Sequence, residues 1–126
     1  RRLPAFLAAL RAQARRRLAA LRAIDGLDVF DDPPGTEGSW PFLLLRLPDT
    51  RSRDTALAEL WGAGLGVGRL FVHALPDYDY LAGQVPAEPM PQARDFAART
   101  LTISNSPWLD DAAFERICQV LERSLR

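Results

Sequence analysis

The chain has 126 residues, 48% of them hydrophobic, which suffices for one sizeable core and is too few for two. Every one of its 16 basic residues is arginine, no lysine occurs, and 16 acids bring the formal net charge to zero, so the overall charge exerts no pull toward nucleic acid or an anionic membrane. The single cysteine, Cys118, excludes an internal disulfide, and no secretory signal or apolar run of bilayer length is visible; the expected setting is a reducing cytoplasm.

Arg1 and Arg2 lead straight into a helical pattern without a starting methionine, which reads as a piece of something longer. Leu3, Leu7, Leu10, Ala14, Leu18 and Leu21 fall on one arc of a helical wheel, so Leu3 to Ala23 is expected to form a long amphipathic helix that Gly26 ends. Arg11, Arg15 and Arg22 make an adjacent stripe, expected to be solvated or docked on a further domain rather than bound to nucleic acid. The run from Asp31 to Gly38 has the turn formers of an exposed loop.

Trp40 to Leu47 is almost continuously apolar up to Pro48, the pattern of a strand covered on both faces or nearly so. Arg53 to Trp61 reads as a helix terminated by Gly62 and Gly64, Gly66 to Val72 as a second strand, Pro91 to Arg99 as a short helix and Thr100 to Ile103 as a third strand. Asp110 and Asp111 suit the start of a last helix, whose buried stripe is Phe114, Ile117, Cys118, Leu121 and Leu125. Helices alternating with three short strands predict an α/β (α+β) sandwich: one domain over 1–126, with a small three-stranded sheet and helices packed on it.

Chemistry-bearing patterns are sparse. The glycines from Gly62 to Gly68 follow a helix and precede a strand, the reverse of a dinucleotide fingerprint, and so read as a cap and a tight turn. No phosphate loop or Cys/His cluster at metal spacing occurs, and His73 is the only histidine. Cys118 sits on an apolar stripe as a buried thiol would, Asp110 and Asp111 are placed as caps, and Trp40, Trp61 and Trp108 are expected to be packing anchors. No catalytic, cofactor-binding or metal-binding residue is assigned.

The C-terminal third carries more. The run Pro91-Gln92-Ala93-Arg94-Asp95-Phe96-Ala97-Ala98-Arg99-Thr100-Leu101-Thr102-Ile103, followed by Ser106-Pro107-Trp108-Leu109-Asp110-Asp111 and the final helix, resembles the ending of the DegT/DnrJ/EryC1/StrS family of pyridoxal-phosphate-dependent sugar aminotransferases. In that family a proline, a small helix, an Arg-Thr and a short strand precede a Pro-Trp or Pro-Tyr turn. The upstream order fits the C-terminal small domain of such an enzyme, with 1–25 as a long interdomain helix.

The resemblance implies a homodimeric parent that moves an amino group from an amino-acid donor to a nucleotide-linked keto sugar. Its pyridoxal phosphate is held covalently by a lysine of the large domain, or faced by a histidine in that place in relatives that are dehydratases. A lysine-free chain has no side-chain amine for such a bond, so no cofactor site is expected here, and the missing N-terminal large domain is the implied partner. The resemblance also implies that the small domain reaches the substrate through a histidine near a strand end. His73 is therefore the first candidate for substrate contact, with Arg69, Tyr78 and Tyr80 beside it, since a guanidinium fork or a phenol can bind a sugar hydroxyl or a diphosphate oxygen. Two other readings are a free-standing α/β regulatory or ligand-binding module and, from the first helix, an arginine-rich nucleic-acid binder. Leu7, Leu10 and Leu18 are expected to lie against the missing domain or a second copy.

Overall fold

A computed structural model describes residues 2–86 and 89–126; Arg1, counted above with the first helix, lies outside them. The first helix, α1 (Leu3–Arg22), begins with Pro4 in its first turn, where the missing amide hydrogen is not needed. Its stripe of Leu10, Ala14, Leu18 and Leu21 turns inward at helical spacing. Gly26, at φ +82°, then reverses the chain into β1 (Asp28–Val29).

The sheet continues through β2 (Phe42–Arg46), β3 (Val67–Gly68) and β4 (Thr100–Ser104), in the spatial order β1-β2-β4-β3 with every neighbouring pair antiparallel. Leu43 and Leu45 of β2 face inward beside Leu101 and Ile103 of β4, while Phe42, Leu44 and Arg46 point the other way. The inward side meets α1, α2 (Thr50–Gly62) and α4 (Asp111–Ser124) around Leu21, Leu60, Ile117 and Leu121. The remaining α-helix, α3 (Pro91–Arg99), runs directly into β4.

Helix ends follow local chemistry. Asp49 accepts from the Ser52 amide at 2.7 Å, and Asp110 accepts from the Ala113 amide at 2.8 Å. At the far end of α2, Gly64 at φ +68° lets its own amide donate to the Trp61 carbonyl while the Leu65 amide donates to that of Leu60, the paired bonds of a Schellman cap.

Several expectations need correction. The sheet has four strands, not three, because Asp28 and Val29 pair with Arg46 and Leu45; a strand of two residues leaves no periodicity to read. The strand expected over Gly66 to Val72 stops at Gly68, since β3 pairs only with Ile103 and Thr102 and the chain then leaves the sheet. β2 is covered on one face rather than two, as its alternating burial shows. Of the tryptophans, Trp108 is 93% exposed and Trp61 is also exposed, its indole nitrogen donating to the Val67 carbonyl at 3.1 Å; only Trp40 is half-buried. Cys118 is half-buried rather than enclosed. Leu10 and Leu18 are already buried by this chain, and the unpartnered residues of α1 are instead Leu3 and Phe6 in its first turns.

Candidate functional site

On leaving β3 the chain makes two short 3-10 turns, Leu75–Asp77 and Asp79–Leu81, before returning to α3. Ala74 is buried and plugs this segment against the body, while Phe71 stacks on Phe96 of α3 at 5.7 Å between ring centres and Phe96 in turn meets Phe30 at 5.6 Å. Between the segment and α3 lies a cleft of about 660 Å³ lined by His73, Leu75 and Tyr78 on one side and by Gln92, Asp95 and Phe96 on the other.

Two of the four residues expected from the sequence, His73 and Tyr78, line this cleft, and a third, Tyr80, packs on Tyr78. His73 is exposed and meets Tyr78 edge to face at 5.2 Å, and Tyr80, 71% exposed, stacks obliquely on Tyr78 at 5.4 Å. Arg69 lies on the far side of His73, where the two line a second, smaller cavity of about 320 Å³, and its Nη2 donates to the Val72 carbonyl at 2.9 Å. Its buried Nε makes no hydrogen bond within the chain.

The sequence reading missed the opposite wall. Gln92, Asp95 and Phe96 are three and four residues apart on a short helix, the spacing of one face, but nothing in that spacing says the face meets Tyr78, fourteen residues before Gln92. The two walls are joined by an ion pair. Arg94 offers Nε to Asp77 Oδ2 at 2.8 Å and Nη2 to Oδ1 at 2.7 Å, and its remaining nitrogen, Nη1, donates to the Pro89 carbonyl. Hydrogen bonding from Arg94 holds the Asp77 carboxyl below the usual carboxylate range, and the same contact raises the guanidinium.

The cleft therefore offers an imidazole, a phenol, an amide and a carboxylate over an apolar aromatic base. Such a set can bind and orient a polyhydroxylated or ring-bearing molecule. Among the described residues no group of His, Cys, Asp and Glu comes together that could hold a metal ion, and no helix is long and apolar enough to cross a membrane.

No family model matches the sequence, and no curated protein does so either. Solved structures do match. The aminotransferase TlmJ from Streptoalloteichus hindustanus superposes with a TM-score of 0.78 at 27% identity over 99% of this chain. A DegT DnrJ EryC1 StrS aminotransferase from Brucella abortus gives 0.73 at 22% identity over 93% of it. The pyridoxal-phosphate form of Spr1654 from Streptococcus pneumoniae, described as a sugar aminotransferase, gives 0.80 at 19% identity over 98%. The chain has the fold of the small C-terminal domain of DegT/DnrJ/EryC1/StrS-type aminotransferases. The mixed helix-and-strand class and the family resemblance read from the C-terminal motifs are borne out at that level. In each case the match covers only about a third of the other chain, 33%, 30% and 32% respectively.

Proposed function

We propose that this chain is the C-terminal small domain of a pyridoxal-phosphate-dependent aminotransferase that aminates a nucleotide-linked keto sugar, and that its part is to contact the substrate. The observation that carries the reading is an exposed His73 on the wall of a cleft, in a chain with the fold of a sugar aminotransferase's small domain.

The chain's residues do not fit the cofactor's covalent attachment, because no lysine is present to supply an amine. That nucleophile belongs to a large N-terminal domain, the proposed partner in the same polypeptide, with α1 as the connecting helix and a homodimer as the working assembly. The compartment proposed is the cytoplasm. The outward face of the sheet at Phe42 and Leu44 suits cover by that domain, since α1, α2 and α4 all pack on the other face.

Within the cleft, the His73 ring and the Tyr78 hydroxyl would hold sugar hydroxyls, with Tyr80 extending the same wall. Arg69, which lines the adjoining cavity, would meet a diphosphate oxygen there. Binding energy of this kind positions a substrate without supplying the group that reacts. The test is His73→Ala in the full-length enzyme. The expected result is a raised KM for the nucleotide sugar with the cofactor's absorbance unchanged, and unchanged sugar kinetics would remove His73 from the site.

A further inference from the structure

We infer that Arg94 is a positioning residue which clamps the substrate-contact segment to α3 and so sets the width of the cleft. The inference rests on the reading just given for what the cleft binds, but the clamp itself stands on geometry. Asp77 lies at the end of the Leu75–Asp77 turn, directly before Tyr78, and four residues after His73. Arg94 lies on α3 between Ala93 and Asp95, both of which line the opposite wall. A planar fork with two bonds to one carboxylate fixes distance and orientation together, as a single contact cannot. The Arg94–Pro89 bond adds a third point, tying Pro89, two residues before α3, to the same guanidinium.

The position of the pair makes it a control on the cleft rather than on the core. Asp77 and Arg94 line the smaller cavity behind His73, together with Arg69, while His73 and Ala74 line both cavities. The segment has no ladder partner beyond Gly68, so its placement depends on the Ala74 plug, the Phe71–Phe96 stack and this fork. Neither partner is buried, so losing the pair leaves no stranded charge inside the protein and the fold should survive.

The test uses the 126-residue chain and the full-length enzyme in parallel. In the chain, chymotrypsin should cut after Phe71, Tyr78 or Tyr80 about fivefold faster in Arg94→Ala than in wild type, the scale expected for one exposed bidentate pair. The exchanged pair Asp77→Arg/Arg94→Asp should return cleavage to within about twofold of wild type, which a merely structural loss would not do. In the full-length enzyme Arg94→Ala should raise KM for the nucleotide sugar about fivefold with kcat little changed. Cleavage no faster than wild type overturns the clamp. Faster cleavage with an unchanged KM, in an enzyme whose His73→Ala variant does show a raised KM, overturns the positioning role. If His73→Ala has no effect on the sugar, the substrate reading fails, and the cleavage result judges the clamp by itself.

Discussion

Arg17 Nη1 donates to Asn105 Oδ1 at 3.3 Å, joining the middle of α1 to the end of β4 inside the protein. Arg17 is only 3% exposed and has no carboxylate at ion-pair distance among the described residues; its guanidinium instead donates to the Ser104 and Leu109 carbonyls and lies over the Phe114 ring at 5.0 Å. Burial pushes its pKa down, and Asp111 acts in the other direction. Asn105 is fully buried and donates from Nδ2 to the Leu10 carbonyl at 3.0 Å and the Trp40 carbonyl at 2.9 Å. Asn105→Ala therefore removes the side-chain donor to two carbonyls and the acceptor of a buried charge, and denaturant titration should show a loss of about 2 kcal/mol.

Gly64 gives a smaller and cleaner effect. Its φ of +68° closes the Schellman cap of α2, and a Cβ built there would meet nothing within 4 Å, so the cost of Gly64→Ala is backbone strain alone. About 1 kcal/mol of destabilisation is expected from thermal or chemical unfolding. The same change at Gly62, which has an ordinary φ and equal space, should cost nothing or stabilise slightly.

The Asp77–Arg94 pair should make stability depend on acid. The folded carboxyl titrates below its usual 3.8, so the unfolded chain binds its proton first as pH falls. The stabilisation is thus present above 3.8 and is lost as pH drops through the lower folded value. The gap in Tm between wild type and Arg94→Gln should be open at neutral pH and close as the pH falls below that range. A gap that persists in strong acid would show that the pair is not its source.

Cys118 should be a slow thiol. Burial is the main cause of a pKa above the usual 9.0, with the Glu122 carboxylate adding to it, so little thiolate exists at neutral pH. Alkylation by iodoacetamide should be slow in the folded chain and speed up on unfolding. Equal rates in the two states would mean that the α4 stripe does not shield it.

Much of the fold was legible where one residue type has one local job. Pro91 and the Arg99-Thr100 junction gave the bounds of α3, and Asp110 gave the start of α4, because caps act over three or four residues. Leu70, Phe71 and Val72 misled, being apolar in a row yet outside any ladder. Phe71 serves the aromatic stack under the cleft, and a strand's composition does not distinguish that use from pairing. His73, Tyr78 and Tyr80 could be grouped from the sequence because they are close in it, and the structure brings their rings into contact. Arg94 could not, since its role depends on a contact seventeen residues away that only the folded loop creates.

Under the proposed function, the chain is one domain of an enzyme that transfers an amino group to a nucleotide-linked keto sugar, and it contributes no covalent cofactor link. The most direct measurement follows nitrogen. The full-length polypeptide and the 126-residue chain are each given pyridoxal phosphate, 15N-labelled glutamate and a nucleotide-linked keto sugar, and the sugar product is weighed by mass spectrometry. Label is expected in the amino sugar made by the full-length polypeptide and none from the chain alone, which lacks any lysine. Transfer by the isolated chain, or a full-length polypeptide that moves no label to any nucleotide-linked keto sugar, would contradict it.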